Sequence, residues 1–181
     1  MRIPAGLAVI FLCVAARGDV SDCACELTQA ASLAARWCSL CVEAEKQPSD
    51  PPVFYLKDTN PRKPNRWLAL PRTHGPAGHP LEKMSASERT RLWRAAIAKA
   101  RELWGDEWGL AINGTQSRTQ CHAHIHIGKL LRGVETGRPV VVSGPAQIPV
   151  PKDDSGMWVH PHGKRLHVHL GEQTTETVLL R

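Results

Sequence analysis

Residues 120–127 read Gln-Cys-His-Ala-His-Ile-His-Ile, which places His122, His124 and His126 two positions apart. In a β-strand successive side chains point to opposite faces, so this spacing predicts a row of imidazoles on one face. The residues between the histidines are small or apolar, which suits packing against a core. An imidazole with its ordinary pKa of about 6.5 can act as a nucleophile, an acid or base, or a metal ligand. We therefore predict a half-buried strand with one chemical face; the alternative is a surface strand rich in histidine.

The composition is typical of one globular domain. The chain has 181 residues, of which 42% are hydrophobic and six are tryptophan, enough for a substantial core. Its formal net charge is +6, and the basic residues are spread along the chain rather than clustered. This distribution favours anionic small molecules or a membrane surface as partners over nucleic acid.

Residues 1–16 have the pattern of a secretory signal peptide. Arg2 precedes an apolar stretch over 3–13, and the small residues 14–16 form a cleavage site. The stretch is shorter than the roughly 20 apolar residues of a transmembrane helix. We predict an exported protein, periplasmic or secreted, that is soluble after cleavage; an uncleaved signal anchor is the alternative.

Four cysteines flank an alanine-rich segment near the N-terminus. Residues 26–37 contain helix formers and no proline, which predicts a short helix between Cys23 and Cys25 on one side and Cys38 and Cys41 on the other. In an exported protein these four cysteines can form two disulfides, with three pairings open.

The remaining pattern predicts an α+β domain with a mainly antiparallel sheet, one long packed helix and a C-terminal β extension. The helix begins at Ser85, where Ser85 and Glu88 form a capping box, and ends at Gly105. Predicted strands cover 53–56, 66–70, 109–113, the histidine strand, 140–143, 157–159, 166–170 and 177–180. The predicted organisation is a signal peptide 1–16, a cysteine-containing segment 17–37, a main unit 38–131, and an extension 132–181 of the same domain.

The order of two strands, a capped helix, a strand and the histidine strand resembles the histidine-triad superfamily, whose members hydrolyse or transfer nucleoside phosphates. Residues 38–41 resemble the family's N-terminal C-x-x-C, and residues 67–74 resemble its apolar strand ending in proline, a basic residue and histidine. Residues 122–127 resemble the triad itself. Within the superfamily, residues 55–60 and 110–127 look most like the CDP-diacylglycerol pyrophosphatases. The resemblance covers the main unit, about half of the chain.

The resemblance assigns the nucleophile to His124, the middle histidine. A neutral imidazole can attack an α-phosphorus and give a nucleotidyl-histidine that water then cleaves, with no cofactor required. His126 can donate to a phosphate oxygen, and Asn113 resembles the strand asparagine that holds the site. The preceding loop offers three side chains for phosphate oxygens: Arg118, Thr119 and Gln120. Two alternatives stay open: Asn113 as a turn residue and Arg118 as a solvated charge.

The resemblance also places His122, the first histidine of the triad, among the catalytic residues. His122 has a second candidate role, because in the zinc-containing branch of the superfamily its counterpart binds a structural ion. The corresponding set here is Cys38, Cys41, His74 and His122, whose chemistry suits tetrahedral zinc. Export argues against zinc, since exposed cysteines then oxidise. Structural zinc, two disulfides and free thiols are the three states that remain, and Cys121 is predicted to be a small buried residue.

A second group of histidines lies near the C-terminus, at His160, His162, His167 and His169. Residues 166–170 alternate histidine with apolar residues, so a hairpin could bring all four together. The interpretations are a surface hairpin without a function, a contribution to the phosphate pocket, and a metal site.

The leading functional hypothesis is an exported histidine-triad phosphoanhydride hydrolase or nucleotidyltransferase. Its expected substrate is a nucleoside diphosphate conjugate such as CDP-diacylglycerol, which would be bound at a membrane surface. The resemblance also implies a homodimer. The second hypothesis is a hydrolase in which the histidine row holds a catalytic metal. The third is a non-catalytic secreted module that binds metal or nucleotide.

Overall fold

The structure is a computed structural model that describes residues 20, 23, 25–26, 28–73, 80–153 and 155–181. The predicted signal peptide and His74 lie outside these residues. The helices are α1 (Ala30–Leu33), α2 (Ser39–Lys46) and α3 (Ala86–Trp104). The strands are β1 (Val53–Lys57), β2 (Trp67–Pro71), β3 (Trp108–Ile112), β4 (Ile125–Lys129), β5 (Val140–Val142), β6 (Gly156–His162) and β7 (Arg165–Glu172).

The seven strands form one antiparallel sheet in the order β1-β2-β4-β3-β6-β7-β5. β3 pairs on one side with β4 and on the other with β6, where Leu110 lies opposite Val159. The strands of the C-terminal third therefore extend the sheet of the preceding residues. The α+β class with a mainly antiparallel sheet and one long helix is confirmed. Among the described residues, no helix has the length and apolarity needed to cross a membrane.

One face of the sheet packs against α3. This helix begins at Ser85, whose side chain accepts from the Glu88 N–H while the Glu88 carboxylate accepts from the Ser85 N–H, as predicted. It ends at Gly105, whose φ of 58° suits a residue without a Cβ. The buried side of α3 and the inward residues of the sheet share one core, which includes Leu92, Trp93, Ala96, Leu110, Ile125, Ile127, Met157 and Val159. Packing against α3 buries one face of each central strand.

The opposite face carries the polar side chains, because alternate strand residues point there. His126, Ala111, Trp158 and His169 are successive cross-strand partners and lie side by side on this face. Residues 178–179, in the last segment of the chain, pack on Ala111 and Trp158. The C-terminal segment thus covers the middle of the face and leaves a group of histidines on each side.

The cysteine pairing differs from the prediction. The disulfides join Cys23 to Cys121 and Cys25 to Cys38, and Cys41 is a buried thiol outside both bonds. Cys121 is therefore a cross-link and more than a packing residue. The helix predicted over 26–37 is also wrong, since only α1 and a short 3-10 turn form there. A straight 12-residue helix is about 18 Å long, whereas the Cys25 and Cys38 Cα atoms lie 5.6 Å apart.

Two strand predictions are corrected by contacts outside the sheet. The histidine strand begins at Ile125 and not at His122, because the N–H of Cys121 donates to the carbonyl of Trp37 at 2.8 Å and the Cys121 disulfide holds the same residue. The strand predicted over 177–180 is replaced by a 3-10 turn at Thr175–Val178 and a single bridge. That segment crosses the sheet face and does not extend the sheet edge.

Candidate active site

A cavity of about 730 Å³ opens on the polar face, beside the C-terminal segment. Its walls are the start of α2, the end of β1 with the following turn, and the loop between β3 and β4. Two of the three predicted histidines line it, His124 and His126. All of the predicted substrate-binding residues also line it: Arg118, Thr119 and Gln120. The cavity is thus the place where most predicted site residues meet.

The His124 imidazole is oriented by the backbone two residues before it. Its Nδ1 lies 2.8 Å from the carbonyl oxygen of His122. A carbonyl oxygen can only accept, so Nδ1 carries the proton and donates. In the neutral ring Nε2 then carries the lone pair, which makes it the nitrogen able to attack an electrophile or accept a proton.

His126 lies beside His124, with ring centroids 4.9 Å apart and the rings nearly perpendicular. Among the described residues, neither of its ring nitrogens has a hydrogen-bond partner, although both are buried. Its Nδ1 is 3.6 Å from Oε2 of Glu176. Buried polar atoms normally have partners, so an unsatisfied imidazole in a cavity wall is suited to a ligand.

Both cavity histidines are neutral at physiological pH. Burial lowers the pKa of His124 to about 4, and the positive charge of Arg118 acts in the same direction. Burial and the neighbouring His124 also lower the pKa of His126, well below its ordinary value. The wall therefore presents two uncharged imidazoles, of which at least His124 has a free lone pair.

Glu176 is the central charged residue of this wall and was not predicted from the sequence. Its Oε2 accepts from Lys63 Nζ at 2.5 Å and from Arg66 at 3.0 Å. Burial raises its pKa, but His126, Lys63 and Arg66 outweigh burial and hold the pKa at about 2. No motif surrounds Glu176 in the sequence, so only the fold reveals its position.

Asn113 joins the cavity wall to the C-terminal segment. Its Oδ1 accepts from the N–H of Glu176 at 3.0 Å and lies 3.3 Å from the hydroxyl of Thr175, which donates to the Ile112 carbonyl at 2.7 Å. Asn113 is buried at the end of β3, and it lines the cavity. Through these contacts Asn113 positions Glu176. The alternative interpretation of Asn113 as a turn residue did not include this role.

The loop before the histidines is held by the N-terminal helices. Gln120 accepts from the Ser39 hydroxyl at 2.8 Å and donates to the Arg36 carbonyl at 3.0 Å, so both ends of its amide are engaged. Thr119 is exposed and Arg118 is buried, and both face the cavity. Gln120 is thus a link between the loop and α2, whereas Arg118 and Thr119 remain the candidates for phosphate oxygens.

His122 does not line the cavity with the other two histidines. Its Nε2 lies 2.8 Å from the carbonyl oxygen of Pro71 and donates to it. The third histidine therefore positions the chain, and its own carbonyl orients His124.

The zinc set predicted from the resemblance does not fit this structure. Cys38 forms a disulfide with Cys25, so its sulfur is not available as a thiolate ligand. Burial raises the pKa of the Cys41 thiol to about 11, and Cys41 is the one cysteine of the predicted set that is not in a disulfide. His74 lies outside the described residues, and no step of the chemistry below passes through zinc.

Three other groups of His, Cys or Glu place at least three ligand atoms within 4.8 Å of one another in the described part of the chain. One is Cys25, Cys38 and Cys121, whose sulfurs are in the two disulfides. The other two groups share Glu135 and contain the second set of histidines. None of those histidines lines the 730 Å³ cavity.

No protein-family model matches the chain, and no curated protein is significantly similar to it in sequence. What the fold and the site define is an α+β domain with a seven-stranded antiparallel sheet and a histidine-lined cavity on its polar face.

Proposed function

We propose that this protein is an exported phosphoanhydride hydrolase or nucleotidyltransferase of the histidine-triad type, with His124 as its nucleophile. The observation that carries the proposal is the 2.8 Å hydrogen bond between His124 Nδ1 and the His122 carbonyl. It leaves Nε2 with a lone pair in the wall of a cavity large enough for a nucleotide. The lowered pKa of His124 keeps that lone pair available at neutral pH.

The reaction proceeds by two displacements at the same phosphorus. Nε2 of His124 attacks the α-phosphorus in line, a P–N bond forms, and the bond to the bridging oxygen breaks with its electron pair leaving on the departing phosphate. Water, or an acceptor hydroxyl, then attacks the same phosphorus, and the P–N bond breaks. The proton of the attacking oxygen leaves with the products and the neutral imidazole is restored.

Three side chains in or near the cavity can bind the phosphate oxygens as charge develops on them. The unsatisfied ring of His126 can supply a hydrogen bond beside His124. Arg118 is buried and lines the same cavity, and Lys63 lines it next to Glu176. Cationic donors of this kind favour a diphosphate over an uncharged ester.

The cavity also has an apolar side, which supports a conjugate with a hydrophobic group. Leu40, Leu56 and Leu68 line it, and they pack on Phe54 and Leu70 beneath. Basic residues Arg36 and Lys57 line the same cavity. An apolar wall beside phosphate-binding groups suits a lipid-linked nucleoside diphosphate such as CDP-diacylglycerol, which we propose as the first substrate to test.

Two further features support the class and the compartment. Two antiparallel strands, a capped helix and two more antiparallel strands follow in the order expected from the histidine-triad resemblance. Two disulfides are typical of proteins that reside in an oxidising compartment. The element order supports the proposed class, and the disulfides support the proposed compartment.

A metal-dependent mechanism through the histidine row has less support. Within the described residues, the groups of three or more close ligand atoms do not include His122, His124 or His126. The ring of His122 is turned away and bound to Pro71. A catalytic ion would therefore have only two imidazoles of the row, and the covalent mechanism uses the same two without rearrangement.

The test is nucleotide release by the protein lacking residues 1–16, compared with His124→Asn and with His162→Gln as the matched control. The substrate panel contains CDP-diacylglycerol, soluble CDP-alcohols, nucleotide sugars and dinucleoside polyphosphates. We expect release by the parent protein and by the control, in the presence of a chelator, and a loss of at least about 1000-fold in His124→Asn. Intact-mass analysis of a quenched reaction should show a nucleotidyl adduct.

Other outcomes separate the alternatives. Activity that a chelator removes and added metal restores would favour the metal-dependent hydrolase. Tight nucleotide binding by the folded parent protein, with neither release nor adduct on any substrate, would leave only the binding module. A preference for CDP-diacylglycerol over soluble CDP-alcohols would support the lipid-linked substrate.

A further inference from the structure

The second group of histidines forms a compact cluster with Glu135 at the far side of the C-terminal segment. His160 lies on β6, and His167 and His169 lie on β7, with all three on the polar face of the sheet. Glu135, in the loop between β4 and β5, reaches over them. His160 and His169 are buried, at 4% and 7% exposure. Nothing in the proposed reaction uses this cluster.

Three atoms of the cluster have the spacing of ligands around one ion. His160 Nε2 and His169 Nε2 are 3.4 Å apart, and they lie 3.5 and 3.8 Å from Glu135 Oε1. Zinc binds imidazole nitrogen and carboxylate oxygen at about 2.0–2.2 Å, so neighbouring ligands of a tetrahedral ion are about 3.4 Å apart. The triangle therefore matches one face of a tetrahedral site.

The ring of His160 is oriented in the manner of a metal ligand. Its Nδ1 is 3.0 Å from the carbonyl oxygen of Pro161 and must donate to it. In the neutral ring Nε2 then presents a lone pair toward the Glu135 carboxylate and His169 Nε2, and a proton or a metal ion between these acceptors would satisfy them. A backbone carbonyl on the other ring nitrogen is the usual outer partner of a metal-bound histidine.

The two other ligands are also held by neighbours. His167 Nδ1 donates to Glu135 Oε1 at 2.5 Å, and this distance is shorter than two ligands of one ion normally allow, so His167 is an outer partner of the carboxylate. The ring of His169 stacks on Trp158 with centroids 3.7 Å apart and planes 3° from parallel. The site is thus ordered by side chains that do not themselves bind the ion.

The geometry points to a second site in this protein, at which Glu135, His160 and His169 bind one divalent transition-metal ion of the zinc class. Two imidazoles and one carboxylate suit such ions better than magnesium or calcium, which prefer oxygen ligands. Three protein ligands leave a fourth position to water. The site is separate from the cavity, because β6 and β7 lie two and three strand spacings from β4, roughly 10 and 14 Å, and residues 178–179 pack on the face between them.

The experiment titrates zinc into the oxidised protein lacking residues 1–16, against a chromophoric chelator of known affinity. The variants are His160→Gln, His169→Gln and Glu135→Gln, and each is checked for folding by circular dichroism. His162→Gln is the matched control from the same hairpin, and His124→Asn reports on the cavity histidines. Zinc binding is the readout, so the result does not depend on any enzymatic activity.

We expect one zinc ion per chain in the parent protein. Affinity should fall by more than about 100-fold in His160→Gln and His169→Gln, which exceeds the 10–100-fold typical of an outer partner. Binding should stay within about threefold of the parent in His162→Gln and His124→Asn. Calcium and magnesium should not displace the zinc.

Three results would overturn the assignment. No stoichiometric binding by the folded parent protein would remove the site. A loss in His162→Gln as large as in His160→Gln would place the ion at the other end of the hairpin. A loss in His124→Asn, with binding retained in His169→Gln, would move the ion to the cavity.

Discussion

At the residue scale, three histidines in one short motif have different roles because their ring nitrogens have different partners. His122 donates to the Pro71 carbonyl and supplies its own carbonyl to His124. His124 keeps a lone pair on Nε2, and His126 keeps both ring nitrogens unsatisfied. The sequence predicts the imidazoles, but backbone oxygens from β2 and from the motif itself determine which nitrogen carries a proton.

The lowered pKa of His124 makes a prediction about the pH profile of the proposed reaction. Burial lowers the pKa to about 4, so the neutral, nucleophilic ring persists from neutral pH down to about pH 5. We expect kcat/KM to fall only as the pH drops through about 4. A steady-state profile from pH 3.5 to 8 measures this, with circular dichroism at each pH to show that the protein stays folded.

The same shift lowers stability in acid, with a defined sign. The unfolded chain takes up a proton near pH 6.5, whereas the folded protein does so only near pH 4. The free energy of unfolding should therefore decline as the pH falls between these values.

One result would contradict the predicted activity profile. If the acid limb of kcat/KM were centred near pH 6.5, the nucleophile would not be the buried His124.

At the scale of elements, the strongest local patterns gave correct boundaries and the cysteine-rich segment did not. The capping box at Ser85 and the glycine at 105 delimit α3, since both act within one turn of the helix. The predicted helix over 26–37 failed because the Cys25–Cys38 disulfide folds the segment back on itself. Its partner disulfide, from Cys23 to Cys121, links that segment to the loop of the site.

The two disulfides should contribute unequally to stability. Cys23–Cys121 closes a loop with a sequence separation of 98, and Cys25–Cys38 one with a separation of 13. From loop-closure entropy we expect the free energy of unfolding to fall by about 5 kcal/mol in the double variant Cys23→Ser with Cys121→Ser. In Cys25→Ser with Cys38→Ser it should fall by about 3 kcal/mol. Urea unfolding without reductant measures both.

A thiol count checks the number of disulfides independently. The protein lacking residues 1–16 and unfolded without reductant should titrate one thiol, that of Cys41. Three titratable thiols would contradict the presence of two disulfides. An equal loss of stability in the two double variants would contradict the unequal loop lengths of the assigned pairs.

At the scale of the whole molecule, the last residues complete a site that begins more than a hundred residues earlier. Arg66 is 1% exposed and donates to the carbonyls of Glu176, Leu179 and Leu180. The Glu176 carboxylate in turn accepts hydrogen bonds from Lys63 and Arg66, and it lies beside His126. These contacts hold the C-terminal segment across the sheet, and the Glu176 carboxylate becomes part of the cavity wall.

Removing the Glu176 charge should weaken both the fold and the site. Glu176→Gln leaves the buried guanidinium of Arg66 without its charged partner, which typically costs about 3–5 kcal/mol. We expect a drop in the free energy of unfolding of that order, measured by urea denaturation at pH 7. Activity should also fall, because Glu176 lies beside the His126 ring.

Glu102→Gln is the matched control, since it removes a carboxylate from an ion pair with Lys99 in which Glu102 is mostly exposed. It should change stability by less than about 1 kcal/mol. An equal effect of the two substitutions would show that the buried network around Arg66 does not hold the C-terminal segment.

The sequence by itself determined the features that depend on neighbours a few residues apart. These are the α+β class, the capped helix, strands β1 to β3 and the alternation that puts His126, His167 and His169 on a polar face. Tertiary structure alone decided the Cys23–Cys121 bond, the path of the last segment, the entry of Glu176 into the site and its pairing with Arg66. Those contacts join residues about a hundred positions apart, and their partners are selected by burial and charge in three dimensions, which no local pattern encodes.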